Sequence, residues 1–272
     1  QMSYEEILEN IKMRDKNDKE KEFGALKVAP GATVIDTTNM TIKQVEQEIS
    51  KIIDKRLKQK KKEAKIYAVR PETTWKKIER AVIKKLIYWF YRILFRIEKI
   101  NEENIPLDEP CIVCANHINY WDAVGLVVTS KRRIRFIAKE DLFNNGFLNW
   151  IAHVFDVIPI KRGMRDLDSM KTCLKALKNG ETLGIFPEGT RKGLAKGAKV
   201  QNGAAYMAIK TKVKVVPVGI QGNFKPFTKV KLNYGKPLDF TKLDNKNPEK
   251  DNLEQATKEI MDNIVMLTKQ EK

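Results

Sequence analysis

Beyond Pro106 five short apolar runs recur, at residues 111–115, 134–138, 157–160, 182–186 and 213–220. Each has the length of a buried strand. Stretches with helical spacing separate them, at 122–129, 167–177 and 203–209, so strand and helix alternate along the chain. This alternation predicts an α/β fold with a largely parallel central sheet, because parallel neighbours need a crossover and the crossover helices cover both faces. A last strand at 230–234 and a helix at 252–267 complete the pattern, with no internal repeat. The 272 residues suffice for one such domain and an appendage.

The appendage is residues 1–57. Helical spacing at 4–12 and 42–57 and a strand-like TVIDT at 33–37 are too little for a core. The charge run KQKKKEAK at 58–65 reads as a solvated linker or helix end, and 58–73 marks the boundary. Residues 74–104 form an amphipathic segment ahead of the α/β domain at 105–272. Its 74–100 stretch mixes Trp75, Tyr88, Trp89, Phe90, Tyr91 and Phe95 with Lys76, Lys77, Lys84, Lys85, Arg92 and Arg96. A helix with one basic and one aromatic face suits the headgroup layer of a bilayer, and packing onto the core is an even alternative. The apolar run at 147–155 offers a second contact.

Lys and Arg outnumber Asp and Glu by 52 to 35, and the net charge of +17 favours an anionic membrane surface or another polyanion. No stretch reaches the roughly 18 to 20 uncharged apolar residues that span a bilayer, and no signal peptide is visible, so membrane contact is expected to be peripheral. The odd set Cys111, Cys114 and Cys173 argues against a disulfide framework and fits a reducing compartment. The expected location is therefore cytoplasmic, at the inner face of the cell membrane. Cys111 and Cys114 form a C-x-x-C within an apolar strand, where three-residue spacing sends the side chains to opposite faces and argues against a redox or metal role. The chain opens on Gln1 and is expected to be part of a longer polypeptide.

In ANHINYWD, His117 follows a strand and Asp122 opens a helix. Five positions at about 100° each would leave the two about 140° apart on one helix, so they meet only if His117 sits in the preceding turn. A carboxylate on one imidazole nitrogen then fixes the tautomer and leaves the other to take a proton from an alcohol. A structural hydrogen bond is the plainer reading of this spacing alone. In IFPEGTRKG, Pro187 stops a strand and Glu188, Gly189, Thr190 and Arg191 form a turn, in which Gly189 admits an anion and Arg191 offers a forked guanidinium. IPIKRG sets Lys161 and Arg162 at another strand end, where ligands of α/β sheets tend to lie. A surface turn and a solvated loop are the bland alternatives for these two. The joint pattern over about a hundred residues of one domain favours a site.

NHINYWD, IPIKR, FPEGTR and VVPVGI resemble, in order and spacing, the four blocks of the glycerolipid acyltransferases, most closely the bacterial 1-acyl-glycerol-3-phosphate acyltransferases. The resemblance runs from about Lys76 to Gly235. It implies that His117 and Asp122 are the catalytic pair, that Arg162, Glu188, Gly189 and Arg191 shape the acceptor phosphate site, and that Pro217 supports the pocket wall. Pro159 departs from the small or aromatic residue usual in the second block. The implied reaction moves an acyl group from acyl-CoA or acyl carrier protein, as co-substrate, to lysophosphatidic acid. No cofactor and no metal are implied.

A second resemblance lies in MRDKNDKEKEFGALKVAPGATVIDTTNMTIKQVEQEI, which is similar to the C-terminal part of a bacterial cytidylate kinase. Arg14 and Asp15 match the lid pair, whereas the family's later Ser and Arg are Lys19 and Lys21, and its Ala-Pro-Leu is Gly24-Ala25-Leu26. The chain contains no G-x-x-x-x-G-K-[ST] loop to cradle a nucleotide. The segment reads as the tail of a kinase fused upstream, cut at a gene boundary, or as a degenerate remnant.

For the acyltransferase, direct attack by the acceptor hydroxyl on the thioester needs no acyl-enzyme, and Cys114, inside its strand, is a poor nucleophile. Backbone N–H groups near the start of the helix at Asp122 are the guessed oxyanion donors. Glycerol 3-phosphate is the alternative acceptor. A basic nucleic-acid-binding protein is the alternative of another class; clustering of the aromatics in one segment and dispersal of the basic residues argue against a nucleic acid partner.

Overall fold

A computed structural model describes residues 3–20, 32–67, 72–161, 166–191, 193, 200–244 and 248–269. The chain divides into two units, Gln1–Lys62 and Glu63–Lys272. The first contains α1 (Tyr4–Glu20) and most of α2 (Ile42–Tyr67). Both helices start at reciprocal caps. Glu6 N–H donates to Ser3 Oγ while Ser3 N–H donates to Glu6 Oε2, and Thr41 and Gln44 repeat the exchange. No described residue of this unit is buried, which agrees with the missing core. The expected strand at 33–37 does not form, since a lone extended segment has no ladder to join. The charge run at 58–65 falls within the last turns of α2.

The second unit runs α3 (Thr74–Leu94), β1 (Arg96–Ile100), β2 (Cys111–Ala115), α4 (Trp121–Thr129), β3 (Ile134–Lys139), α5 (Gly146–Val154), β4 (Ile158–Ile160), α6 (Leu167–Lys178), β5 (Thr182–Ile185), α7 (Gly203–Thr211), β6 (Lys214–Gln221), β7 (Lys229–Tyr234) and α8 (Lys250–Lys269). The sheet order is β1-β7-β6-β2-β5-β3-β4, and every neighbouring pair is parallel except β6 with β7. The largely parallel sheet expected from the alternation is present.

β2 lies in the middle and is buried throughout. Its side chains alternate as a strand demands: Ile112 and Cys114 enter the core under α6, α7 and α8, while Cys111, Val113 and Ala115 enter the core under α3 and α4. The C-x-x-C is thereby split between two cores.

The helix expected through Ile100 stops at Leu94. Phe95 turns extended (φ −130°, ψ 139°), and Arg96–Ile100 pairs parallel to β7 as an edge strand. Helix-forming Arg, Glu and Lys side chains hid this strand, whose conformation is set by pairing rather than by propensity. On α3 the inward face buries Tyr91 and packs Ile87, Tyr88 and Leu94 on the core. The outward face leaves Trp75, Ile78, Val82, Leu86, Trp89 and Ile93 exposed at helical spacing. Among the described residues no helix is long and apolar enough to cross a membrane. Near the helix start Lys76, Arg80 and Arg133 converge on the Asp156 carboxylate, pinning α3 to the turn after α5.

α8 closes over β6 where Gly219 meets the Leu267 backbone. A Cβ at Gly219 would fall 2.6 Å from the Leu267 carbonyl carbon and 2.8 Å from its oxygen, so the helix end would have to shift. We expect Gly219→Ala to destabilise the fold by about 1–3 kcal/mol. Thermal unfolding should record a melting temperature lower by about 2–4 °C per kcal/mol. An unchanged melting temperature would show that α8 adjusts freely.

Candidate active site

β2 ends at Ala115 on the edge of the sheet formed by the C-termini of its parallel strands, where α/β folds place ligands. Asn116 fixes the departing chain: its Nδ2 donates to Ile220 O at 2.9 Å, and Ile220 N–H donates to its Oδ1 at 2.7 Å. The turn 117–120 then delivers the chain to α4. His117 lies in that turn and Asp122 in the first turn of the helix, as their meeting requires.

The Asp122 carboxylate is fully buried, and Oδ2 collects three donors. His117 Nδ1 lies at 2.8 Å, Ile118 N–H at 2.6 Å and Asn119 N–H at 2.8 Å. An ionised carboxylate can only accept, so in the neutral imidazole Nδ1 carries the proton and Nε2 keeps its lone pair. The start of α4 further favours the negative charge. The His117 side chain is 19 % exposed while Asp122 stays dry. Its ring stacks on Phe186 with centroids 4.1 Å apart and planes 10° from parallel, and Phe186 stacks on Phe136. From α3, the Tyr91 hydroxyl donates to Trp121 O at 3.3 Å. A Cβ on Gly125 would lie 2.2 Å from that hydroxyl, so only glycine admits the ring. Burial and the nearby Asp122 charge push the Tyr91 phenol well above its usual range.

The FPEGTR turn meets the dyad from β5. Glu188 is buried, and its Oε1 accepts the backbone N–H of His117 at 3.0 Å, which ties this turn to the backbone that carries the imidazole. Gly189 takes φ +63°, a left-handed conformation that other residues adopt at a cost, and its N–H donates to Phe186 O at 3.0 Å. Arg191 reaches back across the site and lays its guanidinium 3.4 Å above the Tyr120 ring centroid. His117, Asp122, Glu188, Gly189 and Arg191 therefore belong to one connected cluster. Arg162 lies outside the described residues; next to it, Lys161 N–H donates to Asp166 Oδ2 at 2.7 Å. Pro217 is buried within β6 opposite Cys114, and its carbonyl accepts from Gly235 N–H at 2.8 Å.

Of the guessed oxyanion donors around the start of α4, four are already committed. Ile118 and Asn119 N–H serve Asp122, Trp121 N–H donates to Asn119 Oδ1 and Asp122 N–H to Asn119 O. Sequence reasoning missed Asn116, Tyr120, Phe186 and Tyr91. Gly125, on the same helical face as Asp122, was the one signal that something approaches closely there.

The acyltransferase family model matches residues 96–221, which contain the whole cluster. The 1-acyl-sn-glycerol-3-phosphate acyltransferase of Bacillus subtilis is 32% identical over 178 residues, covering 62% of this chain and 86% of that protein. This chain belongs to the 1-acyl-sn-glycerol-3-phosphate acyltransferase family. The chloroplastic 1-acyl-sn-glycerol-3-phosphate acyltransferase LPAT1 of Arabidopsis thaliana is 34% identical over 142 residues, 51% of this chain but 38% of its own length. The crystal structure of the 1-acyl-sn-glycerophosphate acyltransferase PlsC from Thermotoga maritima superposes with a TM-score of 0.55 at 26% identity, covering 76% of this acyltransferase chain and 87% of that one. A cytidylate kinase family model matches residues 1–55.

The three cysteines of this family member lie in the two cores. All three are buried, and burial raises each thiol, that of Cys173 to about 12. Because the thiolate is the reactive form, iodoacetamide at about pH 8 should leave the native protein unlabelled and alkylate all three thiols only after denaturation. Stoichiometric labelling of native Cys114, read by mass spectrometry, would reopen a thiol nucleophile.

Proposed function

We propose that the protein transfers a fatty acyl group from an acyl thioester, acyl-CoA or acyl carrier protein, to the free hydroxyl of lysophosphatidic acid, giving phosphatidic acid. The observation that carries this reading is the His117–Asp122 pair, with Nδ1 tied to a fully buried carboxylate and the imidazole side chain itself partly exposed. In this mechanism Nε2 takes the proton as the acceptor oxygen attacks the thioester carbonyl. The new ester C–O bond forms, the C–S bond breaks, and the imidazolium returns its proton to the departing thiolate. Asp122 stabilises the imidazolium without accepting a proton. The thioester supplies its own activation, so the reaction draws on no resident cofactor or metal.

Arg191, with Arg162 in support, holds the acceptor phosphate, and Gly189 shapes the turn that brings Arg191 there. Glu188 contributes by fixing the His117 backbone.

The acceptor is a membrane lipid, and the outward face of α3 is the proposed contact with an anionic bilayer at the inner face of the cell membrane. Two other side chains of the helix are turned to the protein. Leu94 packs on the core, and Lys84 is half-buried with its ammonium donating to Ser130 O at 2.7 Å, where desolvation lowers its proton affinity. Lys77, Lys85 and Arg92 remain exposed for headgroups, at about 1 kcal/mol each, beside large apolar side chains at roughly 1.5–3 kcal/mol each.

Purified protein should acylate lysophosphatidic acid in preference to glycerol 3-phosphate, and His117→Ala should lose about 10²- to 10⁴-fold in kcat. Asp122→Asn should be milder. Retention of most activity by His117→Ala would remove the base from the mechanism.

Leu86→Glu with Ile93→Glu should weaken sedimentation with anionic liposomes and activity on liposome-borne acceptor together. Both side chains are more than half exposed, so the melting temperature should hold. Unchanged liposome binding would move the membrane contact away from α3.

A further inference from the structure

Tyr120 stands between His117 and Asp122 in sequence, is 76 % exposed, and makes no contribution to either core. A large ring left in solvent at the mouth of a site has either no work or work at the surface. Here one face of the ring is covered by the Arg191 guanidinium at 3.4 Å. Stacking uses the face of a guanidinium and leaves the five N–H donors in its plane free to meet oxygens at its edge. Arg191 comes from the turn after β5 and Tyr120 from the turn after β2, so this stack joins the arginine to the turn that carries the general base.

We propose that Tyr120 is a positioning residue for the acceptor. Its ring carries the Arg191 guanidinium and sets how far the phosphate-binding edge stands from His117 Nε2. The inference rests on the reading of Arg191 as the phosphate ligand. Without the ring, an arginine side chain samples many rotamers, and ordering it falls on the acceptor at each binding event. Tyr120 thus acts on capture of the phosphate and leaves proton transfer to the dyad. A guanidinium–aromatic contact at an exposed or partly desolvated site is worth a factor of about 2 to 30.

The test uses the full chain with oleoyl lysophosphatidic acid in detergent micelles and oleoyl-CoA as donor. Tyr120→Leu should raise the KM for lysophosphatidic acid about 2- to 30-fold, leave the KM for oleoyl-CoA in place and keep kcat and its pH profile. Tyr120→Phe keeps a ring face and should restore most of the affinity. In an Arg191→Ala background Tyr120→Leu should add nothing, because the partner it orders is gone. An unchanged acceptor KM in Tyr120→Leu, an equal rise for both substrates, or full additivity with Arg191→Ala would each overturn the proposal. Wild-type protein that fails to turn over lysophosphatidic acid would overturn the functional reading and this inference with it. Wild-type turnover with an unaffected Tyr120→Leu would overturn this inference alone.

Discussion

One oxygen organises the site. Asp122 Oδ2 gathers the imidazole Nδ1–H and two consecutive backbone N–H groups, and these three bonds convert the 117–120 segment from a loose strand-to-helix link into a defined turn. Charge-assisted bonds of this kind are among the strongest that side chains make, and the carboxylate is fully buried, so losing any donor would leave negative charge undercompensated. The same contacts that shape the backbone select the tautomer. Structure and chemistry therefore depend on one group.

The surrounding fold holds that group in place from several elements. β2 lies at the centre of the sheet and brings His117 to the edge where the parallel strands end. Asn116 ties the turn to β6, Glu188 from the segment after β5 holds the His117 amide, and Phe186 backs the imidazole ring. Tyr91 connects α3 to the start of α4 through Trp121, over a glycine that leaves room for it. The helix whose outer face stays apolar and exposed is thus packed directly against the helix that carries Asp122.

Much of this was legible in the residues. Short apolar runs located β2 to β6 to within a residue or two, since buried strands of a parallel sheet have little need of polar alternation. The strand-then-helix setting of ANHINYWD required His117 to precede the helix, and the dyad formed as that spacing demanded. Edge elements were harder to read. Arg96–Ile100 is made of good helix formers and becomes a strand only because β7 offers a ladder, and the antiparallel step from β6 to β7 has no signature in composition. TVIDT, rich in β-formers, stays unpaired for the converse reason. The Tyr120–Arg191 stack and the Glu188 bond to His117 join residues about seventy positions apart, a relation that local spacing cannot encode.

The claim on which the mechanism turns is that His117 is a neutral base with its proton on Nδ1. The chain has 2 histidines, so a His153→Gln background leaves one imidazole to observe by 15N NMR. At about pH 8, above the ordinary histidine range, the account predicts a protonated Nδ1 hydrogen-bonded to Asp122 and a bare Nε2, with Asp122→Asn disturbing that preference. A proton resident on Nε2 in the unmodified site would contradict it, because the nitrogen facing the acceptor would then have nothing with which to take the hydroxyl proton.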